Sequence, residues 1–182
     1  IKWGIYNQMG GSASVLIGQS FRAREDSTFG TGSGLEENFS DIVSRVHISP
    51  GEHVDLFYRT RVAPDNLSPQ RNELQLTAGI PAFRISTSYI FLDQMADSEF
   101  PGREELSGTI SSQLTKTWHT NLNFRQDIQE KDLRSLGLGL KYEDECLVVR
   151  INGTRSFFED TEVEPEDVIT FNVVLKTLSE QN

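Results

Sequence analysis

The sequence predicts an all-β protein, an antiparallel transmembrane β-barrel of the outer-membrane type. Three observations predict this fold class. Apolar and polar residues alternate along most of the chain, the alternating segments are long, and short and long connections follow one another in turn. Helix signals are nearly absent, and no apolar run approaches the roughly 18 residues of a membrane-spanning helix.

Alternation with a period of two places apolar side chains on one face of a strand. Between 135 and 142, leucines and Tyr142 occupy every second position, and Ser, Gly and Lys fill the others. Most of the predicted strands reach the roughly 9–11 residues of a tilted membrane strand. The eleven predicted strands are 1–9, 12–23, 41–49, 54–63, 72–80, 83–94, 104–117, 119–129, 133–142, 147–158 and 168–178.

One of these strands has an alternative. Asn152-Gly153 suits a type I′ hairpin turn, which would divide 147–158 into two strands. We expect a single strand, because the two pieces would be too short to span a membrane.

The predicted connections alternate in length. Tight turns are expected at Gly10-Gly11, 50–53, Pro81-Ala82, Trp118 and 143–145, and longer loops at 24–40, 64–71, 95–103 and 159–167; the short connection 130–132 is the exception. Outer-membrane barrels have short periplasmic turns and longer outer loops, whereas a soluble sandwich has no reason to sort its loops in this way.

Strand parity gives a topology. If 159–167 is an outer loop, the last strand runs towards the periplasm and the C-terminus is periplasmic. Complete bacterial single-chain barrels have an even number of strands. Eleven strands, and a chain that starts at Ile1 without an initiator Met, therefore predict that residues 1–182 are the C-terminal portion of a larger barrel.

Composition narrows the function. A hydrophobic content of 36% and a mean hydropathy of −0.40 do not exclude a membrane protein, because a barrel exposes only every second residue to lipid. The net charge of −10 argues against a nucleic-acid partner. The single Cys146 excludes an internal disulfide and a cysteine-rich metal site.

The polar face of the predicted strands carries many cationic and amide side chains. A hydrated barrel lumen tolerates such groups, whereas the dry core of a sandwich does not. The lumen-facing candidates are Arg45, Arg59, Arg61, Arg84, Asn121, Asn123, Arg125, Lys141 and Arg150.

No enzyme, cofactor or metal site is predicted. His47, His53 and His119 lie apart in the sequence and no Gly-x-Ser-x-Gly motif is present. The glycine-rich stretch 30–34 lacks the lysine of a phosphate loop. The acidic stretch 159–167 suits either divalent cations that bridge lipid phosphates or a solvated loop.

Six segments of the sequence are informative together: Tyr-Glu-Asp-Glu-Cys-Leu-Val-Val-Arg (142–150), Thr-Arg-Ser-Phe (154–157), Val-Glu-Pro (163–165), Val-Val-Leu-Lys-Thr-Leu (173–178), Ile-Gly-Gln-Ser-Phe-Arg (17–22) and Leu-Ser-Pro-Gln-Arg-Asn-Glu (67–73). They resemble the lipopolysaccharide-assembly protein family LptD, in the form found in alphaproteobacteria. Their order and spacing carry the resemblance over nearly the whole chain.

The resemblance implies an outer-membrane translocon for lipopolysaccharide. It implies a large barrel with an LptE-like lipoprotein plug inside, and a periplasmic N-terminal domain, absent from this sequence, that receives an LptA-like bridge. Lipopolysaccharide would leave between the first and last strands. The last strand of this chain, with Ile169, Phe171, Val173 and Leu175, would form one side of that lateral gate.

Cys146 is similar to a family cysteine that pairs with one in the periplasmic domain. The predicted topology also places Cys146 at a periplasmic turn, where oxidation is possible. The family often has two adjacent cysteines, whereas Glu145 occupies the neighbouring position here. The C-terminal stretch resembles a barrel-assembly signal, with Asn172 in place of the usual glycine.

Two other function classes remain open at this stage. One is a different outer-membrane barrel, such as a porin-like channel or an outer-membrane enzyme. The other is a soluble β-sandwich that binds a ligand.

Overall fold

The structure is a computed structural model. It describes residues 1–6, 10–23, 34–35, 37–94, 102–157 and 165–176. In this part of the chain no helix is long and apolar enough to cross a membrane.

Eleven antiparallel strands form one sheet in the described residues, and their order in the sheet is their order in the chain. They are β1 (Lys2–Tyr6), β2 (Ser12–Gly18), β3 (Ile42–Gly51), β4 (Val54–Val62), β5 (Pro69–Ile80), β6 (Phe83–Leu92), β7 (Arg103–Gln113), β8 (Trp118–Asp127), β9 (Asp132–Glu143), β10 (Leu147–Ser156) and β11 (Asp167–Leu175). The predicted all-β, antiparallel fold with eleven strands is therefore confirmed.

The chain divides into two compact units. The first contains Ile1–Thr77 and Ser88–Glu105, and the second contains Ala78–Thr87 and Leu106–Asn182. Each unit is described by itself below.

In the first unit, the register separates an apolar face from a polar one. On the apolar face, Val15 lies opposite Trp3 in β1 and Val46 in β3. On the polar face, Arg45 lies opposite Leu16 in β2 and Arg59 in β4. The same side of the sheet therefore stays polar from β3 into β4.

The second unit repeats this arrangement. On the apolar face of β8 and β9, Leu122 lies opposite Leu138. On the polar face, Asn121 lies opposite Gly139, which lies opposite Asn152 in β10. The single strand expected over 147–158 is also confirmed, because Asn152 and Gly153 pair with both β9 and β11.

Neither unit buries many hydrophobic side chains. Among the described residues, Val148 is the one hydrophobic residue that is buried, at 5% exposure. Leu138 and Trp3 are each 61% exposed. A sheet that packed on a second sheet would bury one face in an apolar core. The apolar faces of these strands are instead accessible.

The second strand ends earlier than predicted, at Gly18 rather than at 23. The reason lies in Ser40, whose hydroxyl oxygen accepts the backbone N–H of Ser20 at 2.8 Å. A side-chain oxygen thus takes the place of a ladder carbonyl. Pairing resumes only as an isolated bridge between Phe21 and Phe39, whose ring centroids lie 4.9 Å apart.

The prediction of Trp118 as a one-residue turn is wrong, because Trp118 begins β8. The seventh strand ends at Gln113 rather than at 117. The Thr115 hydroxyl oxygen accepts the backbone N–H of Thr117 at 3.3 Å and of Trp118 at 3.0 Å. This local side-chain hydrogen bonding favours a turn over continued strand.

The fifth strand starts earlier than predicted, at Pro69 rather than at 72. The backbone carbonyl of Gln70 accepts the N–H of Asp93 at 3.0 Å. The preceding loop is correspondingly short, and Asn66 closes it by accepting the N–H of Ser68 at 2.8 Å through its side-chain oxygen.

The connections alternate in length as expected. Short turns occupy 52–53, 81–82, 114–117 and 144–146, whereas longer connections occupy 19–41, 63–68, 93–102 and 157–166, and 128–131 is the short exception. Most of the glycine-rich stretch 30–34 and of the acidic stretch 159–167 lies outside the described residues.

Candidate functional site

Three arginines on β3 and β4 share the polar face of the first unit with a fourth on β5. Arg45 lies directly opposite Arg59, and Arg61 follows Arg59 two residues later on the same face of β4. Arg71 joins the group because it and Arg59 both form ion pairs with Glu73. We call Arg45, Arg59, Arg61 and Arg71 the arginine cluster.

Two carboxylates hold three of these arginines. Glu73 is only 8% exposed, and it receives Nε of Arg71 at 2.6 Å and Nη1 of Arg59 at 3.5 Å. Asp41 lies 3.2 Å from Nε of Arg61. Glu73 is thus a nearly buried carboxylate that contacts two guanidinium groups whose side chains are about half exposed.

Arg45 differs from the other three. Its side chain is exposed, and among the described residues it has no ion-pair partner. Arg59, directly across the strand pair, places its guanidinium carbon 4.6 Å from the centroid of the Phe57 ring. The cluster therefore holds four guanidinium groups and two carboxylates, an excess of positive charge in a chain whose net charge is −10.

The arginine cluster lines a concave site with a volume of about 410 Å³. Leu16 and Val43 supply its apolar wall, and Glu73 contributes to its lining. This volume lies in the range of roughly 300–1,000 Å³ that is usual for small-molecule sites.

The polar face of the second unit is built on asparagines and glycines. Asn121 and Asn123 lie opposite Gly139 and Gly137, both of which are buried. A β-carbon on Gly137 would lie 2.6 Å from the Asn123 side-chain nitrogen. The two asparagine side chains thus occupy the space that a side chain larger than that of glycine would need at positions 137 and 139.

The cationic candidates of this unit lie along the same face. Lys141 lies opposite His119 and Arg150, and Arg125 lies opposite Ser135. Nζ of Lys141 forms an ion pair with Glu143 at 2.6 Å.

Arg84 lies in β6 between the exposed Phe83 and Ile85, and its backbone carbonyl accepts the Ser111 hydroxyl at 3.4 Å. The structure thus brings Arg45, Arg59 and Arg61 together. It places Asn121, Asn123, Arg125, Lys141 and Arg150 on one face of β8–β10.

The turn 144–146 is held by Asp144. Its Oδ1 accepts the backbone N–H groups of Cys146 at 2.9 Å and Leu147 at 2.8 Å, and its Oδ2 accepts the Tyr142 hydroxyl at 2.9 Å. The N–H of Cys146, the Tyr142 hydroxyl and the N–H of Leu147 hold the pKa of Asp144 below its ordinary value of 3.8. Cys146 itself is exposed and is a free thiol in this chain.

The end of β11 is tied to this turn. The backbone N–H of Lys176 donates to the carbonyl of Cys146 at 2.8 Å. Its Nζ contacts the Asp144 carbonyl at 2.9 Å and Glu143 at 2.7 Å. These contacts anchor the last described residues beside the cysteine.

Every residue of β11 is exposed, and in the described sheet this strand has β10 as its one neighbour. Its apolar positions are 80%, 67%, 47% and 75% exposed at Ile169, Phe171, Val173 and Leu175, respectively. An unpaired strand edge of this kind can pair with another strand.

Sequence reasoning missed the two carboxylates and Arg71. The predicted loop 64–71 included Arg71, whereas β5 begins at Pro69 and therefore brings this residue into the sheet. Its spacing of two from Glu73 was the available signal, because residues i and i+2 share a strand face. No group of His, Cys, Asp or Glu in the described residues is arranged to hold a metal ion.

Comparison with known proteins identifies the family. Residues 1–135 match the family described as LptD, LPS transport system D. No curated protein matches the sequence. The match contains the arginine cluster, whereas the resembling segments from Tyr142 onwards lie beyond it. Because the match covers more than half of the chain, this protein belongs to the LptD family of lipopolysaccharide transport proteins.

Proposed function

We propose that this chain is the C-terminal portion of the barrel of an outer-membrane translocon that assembles lipopolysaccharide at the cell surface. The observation that carries the proposal is the LptD family match over residues 1–135, which gives the chain a role in lipopolysaccharide transport. The eleven strands of the described sheet support a place within a larger barrel, because complete single-chain barrels have an even number. The alphaproteobacterial form remains our assignment from the resembling segments.

In this proposal the polar face of each unit is lumen-facing and its apolar face meets lipid. The polar faces carry Arg45, Arg59, Arg61, Arg125, Lys141 and Arg150, and the apolar faces expose leucines and aromatic residues. Arg84 is assigned to the lumen with them. Charged side chains are stable at membrane depth only where they reach water or a partner.

Strand β11 forms one side of the lateral gate. Its exposed apolar residues and its unpaired edge within the described sheet support this role. The opposite side of the gate, the first barrel strand, would lie outside these 182 residues. The C-terminus would then be periplasmic, beside the turn 144–146.

The partners follow from the same role. An LptE-like lipoprotein would occupy the lumen as a plug, and an LptA-like bridge would deliver lipopolysaccharide through an N-terminal periplasmic domain. The exposed Cys146 would form a disulfide with that domain. No catalytic activity and no cofactor are proposed.

The test is site-specific photocrosslinking in cells that produce the full-length protein. A photoreactive amino acid at Arg59 or Arg125 should crosslink to newly made lipopolysaccharide before it reaches the cell surface, whereas one at Leu138, on the apolar face of β9, should not. Equal crosslinking at all three positions would contradict a lumenal route.

The same preparation separates the other function classes. A porin-like channel would conduct ions in planar bilayers without any lipopolysaccharide crosslinks. A soluble β-sandwich would need no detergent and would show no heat-modifiable migration in gels. The exposed apolar faces argue against the sandwich, and the family match favours the translocon over both alternatives.

A further inference from the structure

The facing pair Arg45 and Arg59 is unfavourable by itself. The two residues are direct cross-strand partners, and like charges in such a pair destabilise a sheet. Exchange of either arginine for a polar residue would remove this repulsion. Glu73 offsets the charge of Arg59, and an anion bound beside Arg45 would offset the second charge.

The surroundings hold the cluster ready for such an anion. Glu73 forms ion pairs with Arg59 and Arg71, and Asp41 forms one with Arg61, so three guanidinium groups have a carboxylate partner before a ligand arrives. Arg45 has no ion-pair partner among the described residues. An incoming anion would therefore meet the guanidinium of Arg45 beside three that already have carboxylate partners.

The chemistry of the site suits an oxyanion such as phosphate. A planar guanidinium presents parallel N–H groups that match two oxygens of one phosphate. The cavity of about 410 Å³ leaves room for a sugar ring attached to that phosphate, and Leu16 offers an apolar surface for the ring. These features are compatible with a phosphorylated sugar as the ligand.

We infer that the arginine cluster is a binding site for a phosphorylated sugar headgroup. The inference rests on the proposed function only for the source of the headgroup, which would be lipopolysaccharide in transit. A free phosphate anion shares the same chemistry. The cluster would then be an intermediate site on the polar face that binds the headgroup phosphate during transport.

The experiment uses the full-length protein with its native partner in detergent. Four proteins are compared: wild type, Arg45→Gln, Arg45→Lys and Lys116→Gln. Lys116 is an exposed turn residue outside the cluster, so Lys116→Gln removes the same unit of charge elsewhere. Binding of inorganic pyrophosphate is measured by calorimetry, and binding of lipopolysaccharide, intact or phosphatase-treated, by equilibrium capture.

We expect Arg45→Gln to weaken pyrophosphate binding by roughly tenfold or more, the usual effect of one lost charge-assisted hydrogen bond. The pyrophosphate affinity of Arg45→Lys should lie between those of wild type and Arg45→Gln, because lysine keeps the positive charge but lacks the planar guanidinium. Lys116→Gln should bind as wild type does. The affinities of the four proteins for intact lipopolysaccharide should follow the same order. Phosphatase-treated lipopolysaccharide should bind wild type and Arg45→Gln equally.

Folding is checked separately. Without ligand, Arg45→Gln should unfold at the same or a higher temperature than wild type, because the like-charge pair is gone. Pyrophosphate should raise the unfolding temperature of wild type and leave that of Arg45→Gln nearly unchanged.

Three results would overturn parts of the inference. Equal pyrophosphate binding by wild type and Arg45→Gln would show that the arginine cluster is not an anion site. Loss of pyrophosphate binding with unchanged lipopolysaccharide binding would reject the headgroup and leave a site for free anions. Arg45-dependent pyrophosphate binding by a protein that never contacts lipopolysaccharide would keep the anion site and reject the proposed function.

Discussion

Asn121 and Gly139 face each other across β8 and β9, and the asparagine side-chain oxygen occupies the place where a β-carbon on Gly139 would stand. The Asn152 side-chain oxygen lies 2.8 Å from the same position on the other side. Two polar side chains therefore close over one glycine, and the polar face of the second unit is well packed around it.

This arrangement predicts that Gly139→Ala destabilises the protein by about 1–3 kcal/mol, the usual cost of overpacking a filled site. The free energy of unfolding in detergent, measured by urea titration, checks the value. Gly153→Ala is the matched control, because a β-carbon there meets nothing within 4 Å. The double variant Asn121→Gly with Gly139→Ala should recover much of the loss, and no recovery would contradict this account.

Ser40 carries a second stability prediction. Its side chain is buried at 7% exposure, accepts the Ser20 N–H at 2.8 Å and donates to the Asp41 carbonyl at 3.0 Å. Ser40→Ala leaves the Ser20 N–H without this acceptor, so we expect a loss of about 1–3 kcal/mol in the free energy of unfolding.

The control for Ser40 is Ser14→Ala, which removes a hydroxyl from the interior of β2 without a described side-chain hydrogen bond. Urea titration of both variants measures the difference. Equal stability of the two would show that the Ser40 hydroxyl does not replace a ladder acceptor.

The strands of this protein could be predicted from sequence because their signal is local. Leu136, Leu138 and Leu140 alternate with glycine and lysine, and alternation alone sets which residues share a face. Loop length is also read directly, so most short turns could be predicted with the strands, whereas the turn placed at Trp118 lies at 114–117.

The ends of strands and the makeup of the cluster were harder to predict, because distant side chains decide them. The end of β2 depends on Ser40, twenty residues beyond Ser20 in the chain. Glu73 becomes a partner of Arg59 only when β4 and β5 lie side by side. A period of two does not show which residues of neighbouring strands lie opposite each other. These contacts can be predicted only when the register of the strands is known.

Asp144 gives a pH prediction. Its pKa in the folded protein lies below 3.8, so the ionised carboxylate stabilises the turn 144–146 at any pH above that value. This contribution is lost as the pH falls below 3.8 and through the lowered pKa. Wild type should therefore exceed Asp144→Asn in unfolding temperature by a constant margin from pH 7 to 5, and the margin should shrink below about pH 3.8.

Thermal unfolding followed by heat-modifiable gel migration measures this margin. The matched control is Glu145→Gln, which removes the neighbouring exposed carboxylate. A margin that shrinks equally for both variants would show that the hydrogen bonds to Asp144 do not set the pH dependence.

Cys146 carries the last prediction, which tests its proposed disulfide to a periplasmic domain. The sequence has one cysteine, so a disulfide partner must lie outside these 182 residues. In full-length protein from the cell envelope, we expect reduction to change gel mobility and Cys146→Ser to abolish that change. Glu145 is also exposed in the same turn, so Glu145→Cys combined with Cys146→Ser should restore the oxidised form. A reduction-dependent shift that persists in Cys146→Ser alone would assign the bond to other cysteines and leave Cys146 a free thiol.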